Sequence, residues 1–126
     1  MRLIVKPVKT ERLHLYTEES TVFIKGSIDL QYPKPILEPF FTDLHNDLLY
    51  YGFRFITLDI TGLTFINSSG IRELLAWLIK LTKLPKDDRY EIFINTQLGV
   101  NCQQSISKSF TLIYQGAKVI NKEIIV

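Results

Sequence analysis

The eight residues Phe53-Arg54-Phe55-Ile56-Thr57-Leu58-Asp59-Ile60 constrain this chain more than any other stretch. They are rich in β-branched and aromatic side chains and nearly continuous in apolar character, which predicts a central strand. The flanking segments tell how that strand is surrounded. Upstream, Arg12 to Tyr16 alternates and Thr21 to Gly26 is again β-rich, with Glu18-Glu19-Ser20 as a hairpin connection. Leu3 to Val5 is expected to add a short edge strand. Pro33-Lys34-Pro35 then opens a helix, with Pro39 expected still within its first turn. Ile36, Leu37, Phe40, Phe41, Leu44, Leu48 and Leu49 gather on one face of it, and Gly52 stops it.

Downstream, a second helix begins at Ser68. Ile71, Leu74, Leu75, Leu78 and Ile79 form its apolar stripe, with Arg72, Glu73 and Lys80 on the other side and Pro85 ending the segment. Tyr90 to Ile94 is the next strand. Ile106, Phe110 and Ile113 mark a third helix closed by Gly116, and Val119-Ile120 with Ile124-Ile125-Val126 supply a last strand. Strands alternating with helices after an antiparallel start predict one α/β domain over residues 1–126, built on a mixed sheet.

Bulk properties narrow the function classes. Fifteen Lys plus Arg against thirteen Asp plus Glu leave a net charge of +2. The richest basic stretch, Lys80 to Arg89, also contains Asp87 and Asp88 and reads as a solvated loop, so no nucleic-acid footprint is expected. The lone Cys102 fits a reducing cytosol. Lys6 and Pro7 interrupt the N-terminus short of a signal-peptide core, and no apolar run approaches the roughly 20 residues of a membrane span. A cytoplasmic domain with no membrane contact is expected. Asn67-Ser68-Ser69 matches the N-x-S glycosylation pattern, which carries little weight without a secretion route.

The chemistry concentrates in Asn67-Ser68-Ser69-Gly70, where a short loop after the central strand opens the second helix. The first turn of a helix presents unpaired N–H groups, which Asn67 or a serine can cap, and Gly70 permits close approach of a partner or of neighbouring backbone. A hydroxyl there suits phosphorylation: the modification adds about −1.5 to −2 charges. The helix dipole favours such an anion by roughly 0.3–1 kcal/mol, so a binding surface changes while the fold stays intact. Taken alone, these four residues read first as an ordinary helix cap, since such caps are common.

This stretch resembles the signature of STAS domains, the family of the bacterial anti-sigma factor antagonists, in which an Asp-Ser-Ser/Thr-Gly turn follows a strand and precedes an amphipathic helix. Gly26-Ser27-Ile28-Asp29-Leu30 is similar to the family's upstream Gly-Glu-Leu-Asp element. The resemblance spans roughly residues 12–116 and is strongest over 54–80. It implies a STAS-like fold and a partner-switching module. A serine kinase that doubles as the anti-sigma factor would phosphorylate Ser68, and a PP2C-type phosphatase would reset it. Asp29, Asn67, Ser69, Gly70, Arg72 and Trp77 are the partner-facing candidates, although Trp77 equally suits the edge of the core. Asn67 stands where the family usually has Asp, which leaves a non-phosphorylated scaffold or small-ligand sensor as the alternative.

Other residues point to no chemistry. Tyr32, Tyr50 and Tyr51 at helix ends are expected to pack against loops. His14 and His45, with one cysteine and no dense acid cluster, suggest no metal site. Gly-x-Ser-x-Gly and phosphate-binding Gly-rich motifs are absent, so no enzyme activity and no cofactor are expected.

Overall fold

In the computed structural model, which describes residues 3–122, the hairpin Leu13–Glu18 (β2) and Thr21–Ile28 (β3) starts the sheet. A two-residue strand, Val8–Lys9 (β1), lies on its outer edge. Then come Lys34–Tyr50 (α1), Phe55–Asp59 (β4), Leu63–Ile66 (β5), Ser68–Thr82 (α2), Glu91–Gln97 (β6), Asn101–Ile113 (α3) and Ala117–Lys122 (β7). The strand order is β1-β2-β3-β4-β6-β7, antiparallel up to β3 and parallel from β3 onward. The expected α/β architecture, with antiparallel strands followed by alternating helices and parallel strands, is the observed one.

Each helix connects one parallel strand to the next, and each step runs in the same direction across the sheet. Crossovers of this kind are almost always right-handed, so successive steps in one direction place their helices on one face. The burial pattern agrees. Leu15, Val22, Ile24, Ile56, Leu58, Ile92 and Ile94 join Leu37, Leu44, Leu74, Leu78 and Phe110 in a single core. The alternate strand positions, such as Phe55 and Glu91, face away from the helices and are exposed.

Several expectations are corrected. Leu3 to Val5 is not a strand; Leu3 and Val5 are buried against the core, and the Leu3 N–H donates to the Glu19 carbonyl. Pro39 lies inside α1, beyond its first turn. It costs the helix the bond to the Pro35 carbonyl, and both prolines sit on the exposed side where the defect is hydrated. The segment after the central strand is no plain loop. Asp59 Oδ1 accepts from the Thr61 N–H and hydroxyl at 2.9 and 2.6 Å, turning the chain so that β5 pairs with the second half of β3 where β4 leaves it. Buried Gln103 pins this turn by donating to the Thr61 and Leu63 carbonyls. Residues 86–88 form a single 3-10 turn. Ile113 is exposed, and Gln103 and Ser107 join Ile106 and Phe110 on the buried side of α3. Ile124-Ile125-Val126, expected in the last strand, lie outside the described residues.

The stripe of α2 is also rotated. Its buried residues are Gly70, Leu74, Trp77, Leu78 and Leu81, while Ile79 is exposed. The helix packs between α1 and α3, so its buried arc must serve both neighbours as well as the sheet. Tyr32 and Tyr50 do not pack as expected; they are 77% and 82% exposed.

Candidate functional site

The two sequence motifs meet in space through backbone geometry that only glycine satisfies. Gly26 has φ +97, and a Cβ there would lie 1.9 Å from the Arg12 carbonyl oxygen. Beyond it, Ser27 and Ile28 pair with Phe65 and Ile66 of β5, which carries the chain directly into α2. Gly70 lets the first turn of α2 settle on this pair: a Cβ would sit 2.7 Å from Ile28 Cγ2 and 2.8 Å from Ile66 Cγ1. Gly70 is therefore buried against the domain itself, and its role as a partner-facing residue is corrected.

Asn67 completes the junction. Its Oδ1 accepts from the Gly70 N–H at 2.8 Å, the N-cap bond, and its Nδ2 donates to the Leu30 carbonyl at 2.9 Å. Its own N–H donates to the Ile28 carbonyl at 3.0 Å. One side chain thus caps α2 and fastens the loop that carries Asp29. An aspartate could make the first bond and not the second, since it has no N–H to offer. Asparagine at position 67 thus has a structural reason in this chain.

Because Asn67 makes the cap, neither serine hydroxyl is used for it. Ser68 is exposed and Ser69 half-buried. No acidic residue occupies the first turn of α2, so the positive end of its dipole is uncompensated there. Arg72 is exposed one turn after Ser68, and Asp29 is exposed in the loop that Asn67 holds. Ser69, Arg72 and Glu73 form one wall of an open groove whose other wall is Gln31 to Pro35. The structure thus brings Asp29, Asn67, Ser68, Ser69 and Arg72 together at one end of the sheet.

Trp77 does not belong to this group. It is 2% exposed, its ring stacks on Phe41 at 5.0 Å, and its Nε1 donates to the Tyr90 hydroxyl at 2.8 Å. Its expected part in partner binding is corrected to a core role. Sequence reasoning in turn missed two exposed aromatics at the site. Tyr32 stands in the groove wall, and Phe65, 47% exposed, directly precedes the turn. A tyrosine beside Pro33 and Pro35, which hold the backbone stiff, was the available signal for the first; Phe65 gave none without β5.

Among the described residues, no group of three or more His, Cys, Asp or Glu side chains could hold a metal ion, and no helix is long and apolar enough to cross a membrane. Compared with known proteins, the chain matches no protein-family model, and no curated protein matches it.

Proposed function

We propose that this domain is a regulatory protein-binding module of the kind represented by the anti-sigma factor antagonists of the STAS family. It acts as a partner switch in the bacterial cytoplasm, controlled by phosphorylation of Ser68 by a cognate serine kinase and reset by a PP2C-type phosphatase. In this reading the domain is a substrate of the kinase and not itself an enzyme. The observation that carries the reading is the position of Ser68: exposed, in the first turn of α2 and free of the capping bond. A phosphate there meets free N–H groups and the helix dipole, and it changes the charge of a surface shared with Asp29, Ser69 and Arg72. Asn67 does not weaken the reading, because its amide is occupied in capping and loop attachment and the kinase supplies its own catalytic base.

The test is to incubate the domain with ATP and its kinase and locate the phosphate by mass spectrometry. The expected result is one phosphate on Ser68, none on Ser68→Ala, and loss of kinase binding by Ser68→Asp. Equal binding of every candidate partner by wild type, Ser68→Ala and Ser68→Asp removes the switch. The groove between Gln31–Pro35 and Ser69–Glu73 favours a second reading, a non-phosphorylated scaffold or small-ligand sensor. That reading predicts assembly or ligand binding indifferent to both Ser68 variants.

A further inference from the structure

The side of the sheet opposite the helices carries no covering element among the described residues, although four of its strands, β3, β4, β6 and β7, run parallel. Parallel sheets are ordinarily covered on both faces, so a bare one lacks a layer. The N-terminal segment does not provide it, since Leu3 and Val5 join the core on the helix side. The bare face is not merely polar. Register places Tyr16, Phe23, Asp59, Asn95 and Ile120 in one row across the strands, with Thr57 and Phe93 in the next. Tyr16 and Phe23 stack at 4.8 Å, and Phe55 meets Phe93 edge-on at 5.9 Å. Phe55 is 53% exposed and Ile120 46%.

The charges of this face select its occupant. Lys118 pairs with Glu91 at 3.6 Å, and Lys25 lies over the Tyr16 and Phe23 rings at 5.2 and 5.3 Å. Exposed Glu18 completes the set, so the face has acids and bases interspersed and no excess of positive charge for a nucleic acid or an anionic lipid surface. A contact between two copies brings a face against itself and tolerates no large charge of one sign. Tyr16, Phe23, Phe55 and Phe93 supply aromatic surface among these charges, a residue type enriched in such interfaces. The size is sufficient: five strands of about six residues present a plan area on the order of 500 Å² before the relief of the side chains is added. That approaches the roughly 800 Å² per partner of a standard interface.

We propose that a second copy of this chain packs on the bare face, sheet against sheet, to form a symmetric homodimer. The helix layer, including the start of α2, stays outside the contact, and the proposal stands whether or not Ser68 is phosphorylated. Sedimentation velocity over a micromolar concentration series tests it. The wild type is expected to sediment as a dimer, and the double variant Phe55→Glu/Ile120→Glu to raise the dissociation constant at least about 30-fold with an unchanged circular dichroism spectrum. Should that variant lose its spectrum, Lys118→Glu, which turns its exposed pair with Glu91 into a like-charge pair and leaves the core untouched, decides instead, with a weakening of about 10-fold expected. A wild type that stays monomeric at hundreds of micromolar overturns the proposal, whether or not it binds anionic vesicles or an oligonucleotide. A dimer whose dissociation constant the deciding variant leaves unchanged overturns it equally.

Discussion

The two ends of α2 are built on opposite terms. At its start, Ser68 is exposed, the cap is supplied by Asn67, and the first turn carries no acidic residue. Further along, Trp77 is locked into a buried chain of polar contacts. Its Nε1 donates to the Tyr90 hydroxyl, which lies 2.7 Å from His45 Nδ1, and the Tyr114 hydroxyl donates to the Tyr90 carbonyl at 2.7 Å. These contacts join α1, α2, the start of β6 and the end of α3. The difference teaches how one helix serves two purposes: the locked half fixes its orientation, so the open end can change charge without moving.

Breaking the lock should have the largest effect. Trp77→Ala removes a ring packed against Phe41 and Phe110, and is expected to cost about 3–5 kcal/mol in urea unfolding. A loss under about 1 kcal/mol would mean that this half of α2 is not anchored as described. Tyr90→Phe keeps the ring and strips the shared hydroxyl, leaving Trp77 Nε1 and His45 Nδ1 without a partner. The expected cost is about 1–3 kcal/mol, with no change in a partner-binding assay at Ser68.

The same contacts give the lock a pH dependence. Burial pushes the Tyr90 phenol up, so it stays protonated; its oxygen accepts the Trp77 N–H and it forms a second hydrogen bond with His45 Nδ1. Burial, with Lys80 adding to it, lowers the His45 pKa below the ordinary value of about 6.5, so the folded chain favours the neutral imidazole. The unfolded chain therefore takes up the proton more readily than the folded one. This contribution to stability is complete above about pH 6.5 and is lost as pH falls toward the lower folded value. Unfolding free energies measured across that window should decline with acid in the wild type and lose this part of the slope in His45→Gln.

The difference between the halves also explains what was legible in the sequence. The open end was readable because it is local: a cap, two serines and a glycine are contiguous, and their meaning follows from helix geometry. The locked half depends on distant residues. Tyr90, His45 and Trp77 belong to separate elements, and no spacing rule joins them. An amphipathic stripe read for a helix with one buried side placed Ile79 inward and left Trp77 open, whereas α2 has α1 and α3 on its two flanks. The strand Leu63–Ile66 escaped for a related reason. Four residues hold no clear periodicity, and their pairing with β3 is set by the Asp59 turn and by Gln103 from α3. Asn67 could be read as a cap, but its second bond, to Leu30, becomes visible only when the loop is in place.

Asn67 lies between the two regimes and sharpens the contrast. Asn67→Ala should cost about 1–2 kcal/mol, the loss of an N-cap together with a loop contact. Asn67→Asp keeps the cap and the charge preference of the helix start, yet sets a carboxylate against the Leu30 carbonyl. Its stability should stay within about 1 kcal/mol of wild type. Hydrogen exchange in the Asp29–Tyr32 loop should nevertheless quicken. Unchanged exchange there would show that the loop is held by its other contacts.

The smallest effect on stability belongs to the residue with the largest proposed effect on function. Ser68→Asp places a negative charge in a first turn that has none, with Arg72 one turn on, and should stabilise the domain by about 0.3–1 kcal/mol at low ionic strength. Salt should erase the gain. Ser69→Asp is the informative control: it lies in the same first turn, but Glu73 stands four residues on, where a like charge costs about 0.2–0.5 kcal/mol and offsets much of the dipole gain. A larger gain for Ser68→Asp than for Ser69→Asp, compared by urea unfolding at low salt, would show that the start of α2 distinguishes its two serines by electrostatics. Equal gains would mean that it does not, and that any selectivity for Ser68 must come from the kinase.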